Sequence, residues 1–200
     1  QPREAIAAYT ELLEEDDDNF PALRGRADAY LNIGEHANAA ADFKKALQVE
    51  PTESGLLNNY AWVLATSPDD NVRDGKLAIE LATKACEATN HEESHILSTL
   101  AAAYAEAGDF DKATEWSRKA IETFEKQRAA AIAAGQQEKV NDLSDELQKE
   151  LASFEAKKPW RERQTLEDEQ PAAEEKKSEE SAEEKPADEA KPAAETADAK

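Results

Sequence analysis

The chain repeats its apolar pattern at an interval of 34 residues. Ala5, Tyr9, Leu12, Leu13 and Asp17 are answered by Ala39, Phe43, Ala46, Leu47 and Pro51, and Leu23, Ala27 and Tyr30 by Leu57, Ala61 and Leu64. Within each unit these residues stand mostly three or four apart, which places them on one face of a helix. A period of this length specifies stacked helix pairs, each burying its apolar face only against the next. Such an array offers an extended surface that grips partners rather than a pocket that does chemistry.

The punctuation supports that division. Residues 1–15 read as the second helix of a pair, with Pro2 in its first turn and Asp16–Asp18 with Asn19 closing it. Helices are expected over Phe20–Ile33 and Ala37–Val49, hinged at Gly34 and stopped before Pro51. A further pair is expected over Glu53–Ala65 and Asp74–Glu87, and another begins near Glu93 and turns at Ala107-Gly108-Asp109. Its second helix overruns the period: Phe110, Ala113, Trp116, Ala120, Ile121, Phe124, Ala131 and Ile132 share one face up to Gly135. A last amphipathic helix is expected over Gln136–Ala156, with Val140, Leu143, Leu147, Leu151 and Phe154 on one side, covering the apolar end of the stack. The resulting units are 1–19, 20–53, 54–90, 91–134 and 135–160, followed by 161–200.

That last stretch holds 14 acids against 7 bases, and after Leu166 it has no large aliphatic or aromatic residue. With nothing apolar to offset ordering entropy, it reads as a disordered acidic Ala/Glu/Lys/Pro tail. The whole chain carries a formal charge of −21. A field of that sign repels phosphate backbones and anionic lipid surfaces, which disfavours nucleic acid and membranes and leaves basic proteins, basic peptides and divalent cations as compatible partners, although such a charge excess most often serves solubility. No segment approaches the ~20 apolar residues of a membrane span. The single cysteine, Cys86, sits among alanines in an apolar stripe and reads as a buried filler. Cytoplasm and bacterial periplasm are both compatible with it.

In register, these residues resemble the tetratricopeptide repeat (TPR), a helix–turn–helix unit of 34 residues. Leu23, Ala27, Tyr30, Gly34, Ala39, Phe43, Ala46 and Pro51 stand where the family's pattern wants them, and Leu97, Leu100, Ala101, Tyr104, Gly108, Phe110, Ala113 and Ala120 do so nearly as well. Residues 54–90 match with five extra residues in the Thr66–Gly75 turn. The run Asn58-Asn59-Tyr60-Ala61-Trp62, the following Leu64–Pro68 and Asp74-Gly75-Lys76, and the Lys158-Pro159-Trp160-Arg161 ending are similar to a bacterial subgroup of the family. The resemblance covers about residues 1–160. It implies an all-α solenoid, a right-handed superhelix of three and a half repeats with a capping helix, and a concave groove lined by the first helix of each pair. The chain begins halfway through a repeat, as a fragment of a longer protein would.

Carried onto this sequence, the groove lining would be Arg24, Asp28, Leu31 and Asn32, then Asn58, Asn59, Trp62 and Thr66, then His95, Ser98, Thr99 and Ala102. Trp62 is the expected anchor, because indole buries much area at small entropic cost and donates one hydrogen bond. Its alternative is simple packing against the neighbouring pair. Some family members clamp a partner's C-terminal carboxylate with Lys, Arg and Asn. Arg24 and Asn59 suit that, but Asp28 stands where the clamp wants Asn and opposes an anion.

His91-Glu92-Glu93-Ser94-His95 matches the HExxH pattern of zinc hydrolases. That chemistry needs both histidines on one helix and a third ligand, whereas Asn90 and Glu93 mark a helix boundary. The runs Asp16–Asp18 and Asp69-Asp70 with Asp74 lack the alternating spacing of a calcium loop. The expected function is therefore non-enzymatic and cofactor-free: capture of a protein segment in a groove, the alternatives being a structural spacer or oligomerisation arm, or a zinc-dependent hydrolase.

Overall fold

A computed structural model describes residues 1–136 and 143–162, all within one compact unit. They form eight α-helices and no strand: α1 (Pro2–Glu15), α2 (Phe20–Leu31), α3 (His36–Val49), α4 (Ser54–Thr66), α5 (Gly75–Ala88), α6 (Ser94–Glu106), α7 (Phe110–Ala133) and α8 (Ser144–Glu155). Each helix packs on the next in the chain, and α4 also lies along α6. The result is an all-α stack of helix hairpins, as the resemblance noted above implies.

Local chemistry sets these boundaries. Asn19, Glu53, Asp74 and Asp109 each accept a backbone N–H from the first turn of the helix that follows, at α2, α4, α5 and α7. Gly34 and Gly108 hold φ of 76° and 85° at the hairpin turns after α2 and α6. There the N–H of Glu35 reaches the Tyr30 carbonyl, and that of Asp109 reaches Tyr104, both at 2.9 Å, so the two turns close in the same way.

The core runs the length of the stack and is built largely of alanine where helices cross. Ala27, Ala39, Ala61, Ala78, Ala101 and Ala113 are fully buried, with Leu23, Phe43, Leu56, Leu97 and Leu100 filling the spaces between. Small residues allow close helix approach; a methyl enlarged there costs about 1–3 kcal/mol through overpacking. Cys86 is wholly buried, its thiol pushed up to about 11 by that burial. Polar side chains stitch the outer pairs. Arg26 on α2 forks onto Asp42 of α3 at 2.7 and 2.8 Å and reaches Thr10 of α1 at 3.1 Å.

One element differs from the expected ones. The apolar stripe of α7 is buried only as far as Phe124, while Ile132 is 47% exposed. The overhang is held instead by Gln127, which donates to the Glu92 carbonyl at 2.7 Å and accepts the Ser94 hydroxyl at 3.0 Å. Gly135, at φ 69°, follows the end of α7, and α8 is described from Ser144; residues 137–142 of the helix expected over 136–156, Val140 among them, lie outside the described residues. Of the tail expected over 161–200, Arg161 and Glu162 are described and packed against α4 and α6, and residues 163–200 lie outside the described residues.

Candidate functional site: the groove between α4, α6 and α8

The first helices of successive pairs, α2, α4 and α6, present one face to the same side, and α8 stands next in that row. Between them lies a cavity of about 300 Å³ lined by Leu31, Asn58, Asn59, Trp62, His95, Ser98, Thr99, Leu143, Glu146, Leu147 and Glu150. Seven of the side chains named from the sequence therefore meet in one place.

The others fall elsewhere. Arg24 lies 3.7 Å from Glu53, and Asp28 approaches the Asn59 amide at 3.5 Å, so both tie α2 to α4 beside the cavity rather than in it. Burial raises the Asp28 carboxyl, partly offset by Arg24. Asn32 caps α2 and is exposed. Thr66 and Ala102 are buried. Thr66 turns its hydroxyl back to the Trp62 carbonyl at 2.8 Å, and its own carbonyl accepts the Glu162 N–H at 2.9 Å. It is covered by the chain's own C-terminal segment and is not a groove surface.

That segment closes one end of the site. After α8, Lys157 at φ 55° reverses the chain, and Trp160 packs against the core. Arg161 sits 2.7 Å from Glu106, whose other oxygen takes Arg73 at 3.0 Å. Arg73 belongs to the five-residue insertion after α4; it also donates to the Ser67 carbonyl at 2.7 Å and pairs with Asp70. The insertion is thus a clasp between α4 and α6. The Glu162 carboxyl stands close enough to the Trp62 indole for that ring to favour its charged form, and it lies 4.0 Å from the buried His36 ring. Burial drives Glu162 up and His36 down, so both lean toward their neutral forms. Trp62 is half-buried, its side chain lining the cavity.

The cavity wall contributed by α8 was not anticipated. Glu150 is 3% exposed and accepts the Ser98 hydroxyl. Burial, reinforced by the nearby Glu146 carboxylate, pushes its carboxyl up to about 7 against the pull of Ser98. A signal did exist: Glu150 falls three residues after Leu147 and four before Phe154, on the helix's apolar stripe, where an acid is out of place. On the opposite wall the Asn58 amide nitrogen donates to Asn59 at 3.3 Å, and Asn58 Oδ1 is buried with no partner.

The HExxH pattern does not assemble. His91 lies in the loop before α6 at φ 60°, stacked on Trp116 at 5.8 Å, while His95 is on the exposed face of α6 beside Glu93. Among the described residues no three histidine, cysteine or acidic side chains converge as metal ligands. No described helix is long and apolar enough to cross a membrane.

Comparison with known proteins agrees with the architecture. A tetratricopeptide repeat family model matches residues 7–134. The chain is 26% identical over 122 residues to the tetratricopeptide repeat and J domain-containing co-chaperone DNJ1 of Fusarium oxysporum f. sp. lycopersici, a match over 60% of this chain and 23% of that relative's length. Among solved structures, MamA from Desulfovibrio magneticus RS-1 superposes with a TM-score of 0.53 at 18% identity, over 78% of this chain and 86% of that one. PilW, a type IV pilus biogenesis factor, does so at 0.52 and 20% identity, over 78% and 70%. At these identities the structural likeness speaks for the fold alone. A period of 34 residues, glycine-turned hairpins with alanine crossings, and a family match over most of the chain meet in one conclusion: the chain belongs to the tetratricopeptide repeat family.

Proposed function

We propose that this protein is a non-enzymatic interaction module that captures a segment of a partner protein in the groove between α2, α4, α6 and α8. Tetratricopeptide repeats serve as protein-interaction scaffolds, and the co-chaperone and pilus-assembly names among the similar proteins fit that class. The observation that carries the reading is the half-buried Trp62 ring in a mostly apolar cavity, flanked by Asn59, His95 and Glu146. A preformed concavity with a few polar groups on rigid helices is what a peptide site requires. The acids at its edge favour a basic segment and disfavour a carboxylate clamp.

Selection of a random peptide library against the full chain, followed by titration of the binders, tests this. Trp62→Ala should weaken the selected peptides at least tenfold while helicity and melting stay cooperative. Binders of unchanged affinity on a folded Trp62→Ala variant would place the interaction surface elsewhere.

A further inference from the structure

Two features of the cavity go unused by simple apolar capture. Its floor holds a carboxylate, Glu150, that is 97% buried by its 3% exposure and meets no cation; its wall holds a buried acceptor, Asn58 Oδ1, with no donor. Buried acceptors in native proteins are normally matched, and one left open in a cavity points to a missing donor. Glu146, one turn before Glu150, adds a second acid at the rim. No Lys or Arg is among the described residues that line the space. Around these groups the walls are apolar: Leu31, Trp62, Leu143 and Leu147.

We propose that the cavity is a socket for one long basic side chain of the partner segment, with Glu150 as its counter-charge. The proposal rests on capture in the groove and names the residue class that enters it. The methylene stem of a lysine or arginine lies along Leu31, Leu143, Leu147 and the Trp62 face. Its charged head donates to Glu150 and to Asn58 Oδ1, meeting both acceptors at once. The volume of about 300 Å³ stands at the small end of ligand sites, near 300–1,000 Å³, which suits one side chain. The groups facing Glu150 set its charge: Glu146 on α8 opposes ionisation, while Ser98 on α6 favours it. His95 on α6, Asp28 with Arg24 on α2, and Glu162 of the C-terminal segment lie at greater reach. An entering cation would restore the Glu150 carboxylate at neutral pH.

The test uses the full chain, 15N-labelled, titrated with Nα-acetyl-lysine-methylamide, its arginine counterpart, and the norleucine counterpart that keeps the stem but lacks the charge. The lysine or arginine compound should shift the amides of Asn58, Trp62, Ser98 and Glu150 and bind at least tenfold tighter than norleucine. Which of the two binds tighter identifies the cation. Glu150→Gln should reduce both to the norleucine level, whereas Glu122→Gln, a surface change on α7 that removes the same charge, should leave them unchanged. In the unmutated protein, the Glu150 carboxyl followed by 13C NMR should titrate about one pH unit or more lower when the lysine compound is bound. That readout holds even if Glu150→Gln fails to fold.

Norleucine binding as tightly as lysine would overturn the socket while leaving groove capture standing. Shifts scattered over the acidic surface, or equal loss in Glu122→Gln, would reduce the effect to net charge and overturn it too. Cavity amides that move on dilution alone would make a second copy the occupant. Absence of any shift would overturn the socket, and the peptide selection with Trp62→Ala would then judge groove capture independently.

Discussion

Glu150 carries the largest residue-scale consequence. Folding lifts its carboxyl from an ordinary value near 4.5 to about 7, so on raising the pH the unfolded chain loses this proton first. The stability associated with the neutral group is complete below about pH 4.5 and is lost as pH climbs to about 7, a cost on the order of 3 kcal/mol. Glu150→Gln stays neutral throughout and keeps an acceptor for Ser98. Urea melts should show it equal to the parent at pH 4 and more stable by up to about 3 kcal/mol at pH 8. A stability difference independent of pH would show that folding does not raise the Glu150 carboxyl. Retaining such a costly group fits a site that spends stability on binding. Other residues at this scale are explained by packing alone. Gly75, for example, sits where an added Cβ would come within 2.8 Å of the Ala107 backbone, so the start of α5 approaches the α6–α7 turn as only glycine allows.

Among the elements, the most consequential is the short C-terminal segment after α8. Its residues reach α4 through the Ala65 and Thr66 carbonyls, α6 through Glu106, and Trp62 through Glu162. None of these contacts follows from helix periodicity, since Arg161 and Ala65 are 96 residues apart in the chain. Trp160→Ala removes the half-buried ring that seats the segment and should cost about 1–3 kcal/mol. The Glu162 amide, which donates to the Thr66 carbonyl, should then exchange with solvent much faster. Exchange at Glu162 as slow as in the parent would mean that Arg161 and Glu162 hold the segment without Trp160. The insertion after α4 belongs with it: Arg73 and Arg161 grip the same Glu106 from two sides, so the two irregular stretches act as one clasp.

At the scale of the whole molecule, stability in a repeat array is a sum of unit and nearest-neighbour contributions. Helix α1 packs on α2 alone, whereas α6 packs on α4, α5, α7 and α8. Native-state hydrogen exchange should therefore show α1 opening first and α4 to α6 exchanging only with global unfolding. Equal protection of α1 and α6 would mean that the stack unfolds as one unit. The same distinction between near and far contacts separates what could be read beforehand from what could not. Hairpin turns at Gly34 and Gly108, the alanine crossings and the order of helices were legible, because residues three, four and 34 apart carry them and local spacing is written directly in the chain. Leu31, Asn58, Asn59, Trp62, His95, Ser98 and Thr99 were named through the family resemblance rather than through periodicity, and they line one cavity. The fate of Thr66 and the exposure of Ile132 were not legible, because each depends on which distant surface arrives to cover it. So too with the site's charge: the out-of-place acid on the α8 stripe could be seen, but its partner Ser98, 52 residues away, was chosen only when α8 took its place in the row. Periodicity alone decided that helices would stack; the closure of the stack by its own last residues, and the acid sealed inside, were decided by long-range packing, where burial energy rather than local propensity selects the outcome.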